Sequence, residues 1–185
     1  SVMDKLTDAE KPDIQDGDMA IIGQPLDFIG MNYYTRNVYT MDDNGWFSIV
    51  PPPAGNLTEM GWEIVPGAMT DMLVSLHNEY PLPPMFITEN GAAMPDKLVG
   101  KQVDDQDRID YFQSHFLAVH NAMEQGVNIK GYFAWSLLDN FEWAEGYSKR
   151  FGLIYIDYET QERIWKDSAI AYKNMLTSRA LVTSE

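Results

Sequence analysis

Residues 85–135 read MFITENGAAMPDKLVGKQVDDQDRIDYFQSHFLAVHNAMEQGVNIKGYFAW. Two short apolar runs, Met85-Phe86-Ile87-Thr88 and residues 129–135, bracket a longer stretch with a different period. Within 104–125, Ile109, Phe112, Phe116, Val119 and Met123 recur at three- and four-residue spacing, which places them on one face of a helix. Acids crowd its opening, Asp104-Asp105-Gln106-Asp107, where the positive end of the helix dipole favours them, and Gly126 stops it. Two apolar strands joined by an amphipathic helix predict a parallel βα unit with its strands buried.

The same pattern extends in both directions. Asp27-Phe28-Ile29-Gly30-Met31-Asn32-Tyr33-Tyr34 predicts a short buried strand. Residues 37–40 and 46–50 flank Asp42-Asp43-Asn44-Gly45 and predict a hairpin with an Asn-Gly turn. Pro51-Pro52-Pro53 is an extended spacer. A helix begins near Gly67, carries Met69, Met72, Leu73, Leu76 and Tyr80 as its stripe, and ends at Pro81, Pro83 and Pro84. Residues 151–158 and 163–165 predict a second hairpin, and Asp167 is expected to cap a last helix through Leu176. Residues 1–25, polar and interrupted by Pro12 and Pro25, are expected to be a connector. The resulting order of strands and helices is that of an α/β protein with a parallel sheet, and it shows no repeat or second domain. Three βα units do not close a barrel, which takes eight in about 250 residues.

Charge and composition narrow the function. A formal net charge of −15 repels phosphate backbones and anionic bilayers, so neither nucleic acid nor membrane is an expected partner. A neutral or cationic substrate suits that charge better. Zero cysteines exclude disulfides and thiolate metal sites. His77, His115 and His120 fall on predicted helices; His77 and His115 read as ordinary helix residues, and none of the three is assigned to a metal. Asp104-Asp105-Gln106-Asp107 lacks the Gly and terminal Glu of a calcium loop. No secretory signal or membrane span is visible, which favours the cytoplasm.

Function in βα folds gathers at the C-terminal ends of the strands. Here those ends carry Asn32-Tyr33-Tyr34, Thr88-Glu89-Asn90, and Trp135 leading to Asp139-Asn140-Phe141-Glu142-Trp143. Carboxylates and amides bind hydroxyl groups, and flat rings cover the C–H faces of pyranoses. A strand-end carboxylate such as Glu89 can attack an anomeric carbon, and a nearby phenol can hold it ionised and aimed. Taken singly, Glu89 reads equally well as an ion-pair partner; the agreement of several strand ends favours the sugar site.

At these residues the sequence resembles glycoside hydrolase family 1, the β-glucosidase family. The matching runs are residues 27–34, Gly61-Trp62-Glu63-Ile64-Val65-Pro66, Ile87-Thr88-Glu89-Asn90-Gly91-Ala92, Asp107-Arg108-Ile109-Asp110-Tyr111 and residues 131–157, in the family's order and spacing. The resemblance implies a retaining β-glycosidase acting on neutral β-D-glycosides without cofactor or metal. It implies that Glu89 is the nucleophile and that Tyr34 donates a hydrogen bond to it. It places Asn32 near the sugar's 2-hydroxyl, Trp135 beneath the glycone, and Glu142 with Trp143 on its far hydroxyls. Trp62 and Phe151 would wall the aglycone site. The related 6-phospho-β-glycosidases hold phosphate with a Ser-Lys-Tyr set, whereas the carboxylate and indole of Glu142-Trp143 repel or block a phosphate dianion.

The family's acid/base glutamate lies in a Thr-x-Asn-Glu-Pro motif that is absent from residues 1–185, as are its earlier Gln, His and Asn sugar ligands. Retention requires two carboxyl groups about 5–5.5 Å apart. The expectation is therefore a (β/α)8 TIM barrel of which residues 1–185 form the C-terminal part, roughly the last three βα units. Its partner would be the N-terminal half of the same barrel, and the chain alone is expected neither to fold well nor to catalyse. The alternative is a catalytically dead, family-1-like module that binds carbohydrate or serves as a receptor.

Overall fold

The computed structural model describes residues 2–180. A 3-10 turn, Val2–Lys5, and a short helix α1, Asp18–Ile22, precede β1, Ile29–Asn32. There follow β2, Val38–Met41; β3, Phe47–Val50; α2, Pro66–Glu79; β4, Met85–Asn90; α3, Gln106–Glu124; and β5, Ile129–Ala134. A 3-10 turn at Trp143–Glu145, β6, Ile154–Ile156, β7, Arg163–Trp165, and α4, Asp167–Ser178, complete the order. Strands β1, β4 and β5 form a parallel sheet in that order, and α2, α3 and α4 each follow one of them. The antiparallel pairs β2-β3 and β6-β7 are inserted after β1 and after β5.

The helices cover one face of the sheet. Met69 and Leu73 of α2 meet Met85 and Ile87 of β4, Ala118 and Ala122 of α3, and Ile129 of β5. Full burial of a Leu or Ile side chain contributes about 1.5–3 kcal/mol, so this layer dominates the sheet's cohesion. A second cluster joins Tyr111 and Phe112 of α3 to Ala169 of α4, with Leu153 and Ala92. On the opposite face Phe86 and Thr88 lie against Gly131 and Gly30, where an added Cβ would come within 2.6 and 2.7 Å of them.

Several expectations change. The connector contains the turn and helix named above. The strands around Ile29 and Ile129 are only half-buried, and Phe133 is 57% exposed, because no described residue covers the face opposite the helices. The buried face of α3 is Arg108, Tyr111, Phe112, His115, Ala118, Val119 and Ala122, and Met123 is exposed. Polar residues with internal partners turn this helix, and a purely apolar pattern does not register them. The hairpin loop closes by Gly45 N–H donating to the Asp42 carbonyl, with Gly45 at φ +72°, so the glycine supplies a left-handed residue rather than half of a two-residue turn. Asp167 is the first residue of α4 and makes no side-chain cap. The carboxylate of Asp105 takes that role from outside, accepting from Ser168 N–H at 2.8 Å and from Ser168 Oγ at 2.6 Å.

His115 is fully buried, stacks on Tyr111 with ring centres 3.9 Å apart, and has Nδ1 2.7 Å from the Tyr111 carbonyl. Nε2 is buried without a partner. Burial pushes the imidazole down to about 4 from an ordinary 6.5. Between these values the unfolded chain binds a proton that the folded chain refuses. Stability at this site is therefore intact above about pH 6.5 and falls as pH drops toward about 4, by about 3 kcal/mol. In urea titrations of the full-length protein, His115→Phe should gain that amount relative to wild type between about pH 7 and pH 4. A difference independent of pH would refute this.

Candidate active site

The upper ends of β1 and β4 depart from regular pairing. The β1-β4 ladder shifts between Met31 and Asn32, and the β4-β5 ladder shifts between Ile87 and Asn90. Strict alternation from Ile87, which packs against the helices, would aim Glu89 at them as well. The irregularity re-aims it: Glu89 lines a cleft, while Asn90 turns inward to Tyr111 of α3.

That cleft has a volume of about 490 Å³. All eight residues singled out from the sequence line it: Asn32, Tyr34, Trp62, Glu89, Trp135, Glu142, Trp143 and Phe151. Tyr34 Oη donates to Glu89 Oε2 at 2.7 Å. Burial, then the Glu89 hydrogen bond and negative charge, push the Tyr34 phenol far above its ordinary value, so it is a permanent donor. Thr88 Oγ1 donates to Asn32 Oδ1 at 2.7 Å, which leaves the Asn32 amide N–H groups for other acceptors. Tyr34, Trp62 and Phe151 form an aromatic cluster with ring centres 5.4–6.2 Å apart.

Across the cleft, Trp135 Nε1 donates to Glu142 Oε1 at 3.2 Å. Burial raises the Glu142 carboxyl, and the charges of Glu89 and Asp139 add to this, while hydrogen bonds from Trp135 and Asn140 oppose it. Trp143 projects at the rim and is 88% exposed. The backbone there bends back, with Glu142 N–H donating to the Gly146 carbonyl at 2.8 Å.

Sequence reasoning missed Met60, Ala144 and Glu145, which also line the cleft. Their only signal was closeness in the chain to Trp62 and to Glu142-Trp143. It also missed the buried charges behind the cleft. Arg108 pairs with Asp96 through two 2.8 Å bonds and with Asp105. Lys166 Nζ lies 2.5 Å from Asp96 and 2.8 Å from Asp139, and Arg150 Nη1 lies 2.5 Å from Asp139. Three carboxylates and three cations thus balance, and they tie the loops after β4 and β5 to the starts of α3 and α4. These partners lie up to 70 positions apart, so no local spacing announces them. Among the described residues no group of His, Cys, Asp or Glu has the arrangement of a metal site.

The family model described as Glycosyl hydrolase family 1 matches residues 1–181. The bifunctional beta-D-glucosidase/beta-D-fucosidase of Bifidobacterium breve is 49% identical over 184 residues, covering 89% of this chain and 40% of that protein. The 1,4-beta-D-glucan glucohydrolase of Thermotoga neapolitana is also 49% identical, over 89% of this chain and 37% of its own length. The beta-glucosidase of Thermotoga maritima, solved in complex with castanospermine, superposes with a TM-score of 0.87 at 46% identity, over 93% of this chain and 39% of that one. The chain thus spans about two-fifths of the length of the relatives it matches. The three βα units are part of a (β/α)8 barrel.

Proposed function

Because this chain belongs to glycosyl hydrolase family 1, we propose that it is the nucleophile-bearing, C-terminal part of a single-barrel retaining β-glycosidase acting on neutral β-D-glycosides. The observation that carries this reading is the 2.7 Å bond from Tyr34 Oη to Glu89 Oε2 inside a cleft also lined by Trp135, Glu142 and Trp143. Tyr34 occupies one carboxylate oxygen and leaves Oε1 to attack the anomeric carbon. That attack forms a glycosyl ester on Glu89 as the bond to the leaving oxygen breaks. A second carboxyl group protonates the leaving oxygen, then takes a proton from the water that hydrolyses the ester. In this proposal the second carboxyl is supplied from outside residues 1–185, by the N-terminal half of the same barrel.

The other cleft residues divide the sugar between them. Trp135 forms the floor of the glycone site, and its indole N–H also fixes Glu142. Glu142 and Trp143 bind the glycone's distal hydroxyls, and Asn32 offers its amide near the 2-hydroxyl. Trp62 and Phe151 form the aglycone wall. A carboxylate and an indole at the distal end favour a neutral sugar over a 6-phosphorylated one. The names of the relatives support a glucoside or fucoside as substrate.

Incubation of the full-length protein with 2,4-dinitrophenyl 2-deoxy-2-fluoro-β-D-glucoside tests the reading. A stoichiometric dinitrophenolate burst, with the fluoroglycosyl ester mapped to the peptide containing Glu89, is the expected result. Sugar binding with no ester would favour the non-catalytic binding module instead.

A further inference from the structure

Asn90 adjoins the proposed nucleophile and is completely buried. Both amide N–H groups and the carbonyl oxygen have partners, each in a different segment. Nδ2 donates to the Tyr33 carbonyl beyond β1 at 2.7 Å and to Tyr111 Oη of α3 at 3.0 Å, and Oδ1 accepts from Tyr132 Oη of β5. Its backbone carbonyl accepts from Trp135 N–H at 2.8 Å. The next residue, Gly91, lies so close to Trp135 that an added Cβ would stand 1.7 Å from the Trp135 carbonyl oxygen.

These bonds sit where both strand ladders lose their register. Single backbone bonds, from Tyr33 N–H to the Glu89 carbonyl and from Trp135 N–H to the Asn90 carbonyl, join the strand ends at this level, and the Asn90 side chain adds three more across the shifted ladders. Tyr33 N–H donates to the Glu89 carbonyl at 2.9 Å while the Tyr33 carbonyl accepts from Asn90, so the backbone leading into Tyr34 is held from both sides. Each of Tyr34, Glu89 and Trp135 is thus either bonded directly to Asn90 or one residue from a group that is. Resting on the glycosidase reading above, we infer that Asn90 is a positioning residue: its buried carboxamide sets the relative placement of the carboxylate of Glu89, the phenol of Tyr34 and the indole of Trp135. Only a carboxamide fits, because the site needs two N–H donors and one acceptor on a single short side chain. A carboxylate would face the Tyr33 carbonyl with no proton between them.

The consequence is kinetic. Displacement of a reacting group by about 1 Å costs about 100-fold in rate, even when the change lies away from the chemistry. In the full-length enzyme Asn90→Asp should lower kcat per active site by about 100-fold, with KM altered less than about threefold. Fluoroglucoside inactivation should slow in parallel. Tyr132→Phe removes one bond of the three and should lower kcat by about tenfold. Sites are counted by the dinitrophenolate burst, so a loss of folded protein appears as fewer sites at unchanged turnover. That result, or kcat per site within about twofold of wild type for both variants, overturns the positioning role and leaves the glycosidase reading standing. If Asn90→Asp does not fold, Tyr132→Phe decides by the same criterion. A wild-type protein with neither turnover nor labelling overturns both readings.

Discussion

Glu89→Gln in the full-length protein should lower hydrolysis of an aryl β-glucoside by at least about 10⁴-fold while leaving the unfolding midpoint nearly unchanged. The two side chains have the same shape, and the glutamine carbonyl oxygen still accepts the hydrogen bond that Tyr34 Oη now donates to Glu89. On the proposed mechanism, what is lost is the negative charge and the lone pair that would bond the anomeric carbon; an amide oxygen is a poor nucleophile. Removing a catalytic nucleophile from a group that acts as a unit costs factors in the range of about 10⁴–10⁶. The isosteric change also tests the assignment against its plain alternative, in which Glu89 only pairs with a neighbour. That alternative predicts a change in stability with a near-normal rate per folded molecule. Steady-state hydrolysis beside a thermal melt separates the two outcomes, and retention of more than a tenth of the wild-type rate would sink the nucleophile assignment.

The second large effect concerns stability. Asp139→Asn should destabilise the full-length protein by about 3–5 kcal/mol, the cost of leaving buried cations without their counter-charge. Asp139 Oδ1 accepts from Lys166 Nζ at 2.8 Å and from Gly152 N–H at 2.9 Å, and Oδ2 accepts from Arg150. Lys166 and Asp139 are both buried. Burial and the nearby Arg108 charge lower the Lys166 ammonium, against the pull of Asp139 and Asp96. With Asp139 neutral, Lys166 retains one carboxylate, and the amide offers a single acceptor oxygen where two are in use. The loop running from Asp139 to Glu142 then loses its anchor, so sugar affinity should weaken along with stability. Lys101→Ala is the internal control: its partner is Glu162 and both side chains are largely solvent-exposed, so its loss should cost less than about 1 kcal/mol. Denaturant titrations in which Asp139→Asn costs no more than Lys101→Ala would refute the account.

Much of this molecule was legible before any coordinates. The alternation of apolar strands with three- and four-residue helical stripes marked the parallel βα units, because each stripe follows from burying one face of one local element. Asn32, Tyr34, Glu89 and Trp135 could be named because a parallel sheet brings its C-terminal strand ends to one rim, with Glu142 and Trp143 in the segment that follows; Trp62 and Phe151 were named only by the family resemblance, and all eight line one cleft. Proline and glycine marked where α2 and α3 end, since their backbone limits act within a residue or two.

Other features were decided only in three dimensions. Which way Glu89 and Asn90 face depends on shifts in two ladders, and each shift is a relation between strands rather than a property of either. The rotation of α3, which buries Arg108 and His115, depends on partners from distant segments. The external cap of α4 by Asp105 and the charge network around Lys166 have the same origin. Periodicity reports what one element buries, because hydrophobic burial is non-directional and scales with area. Hydrogen bonds and ion pairs act over a few ångströms between residues far apart in the chain, so the family resemblance could name Tyr34 as the donor to Glu89, but only the tertiary structure decided which way that carboxylate faces, through the ladder shifts around it.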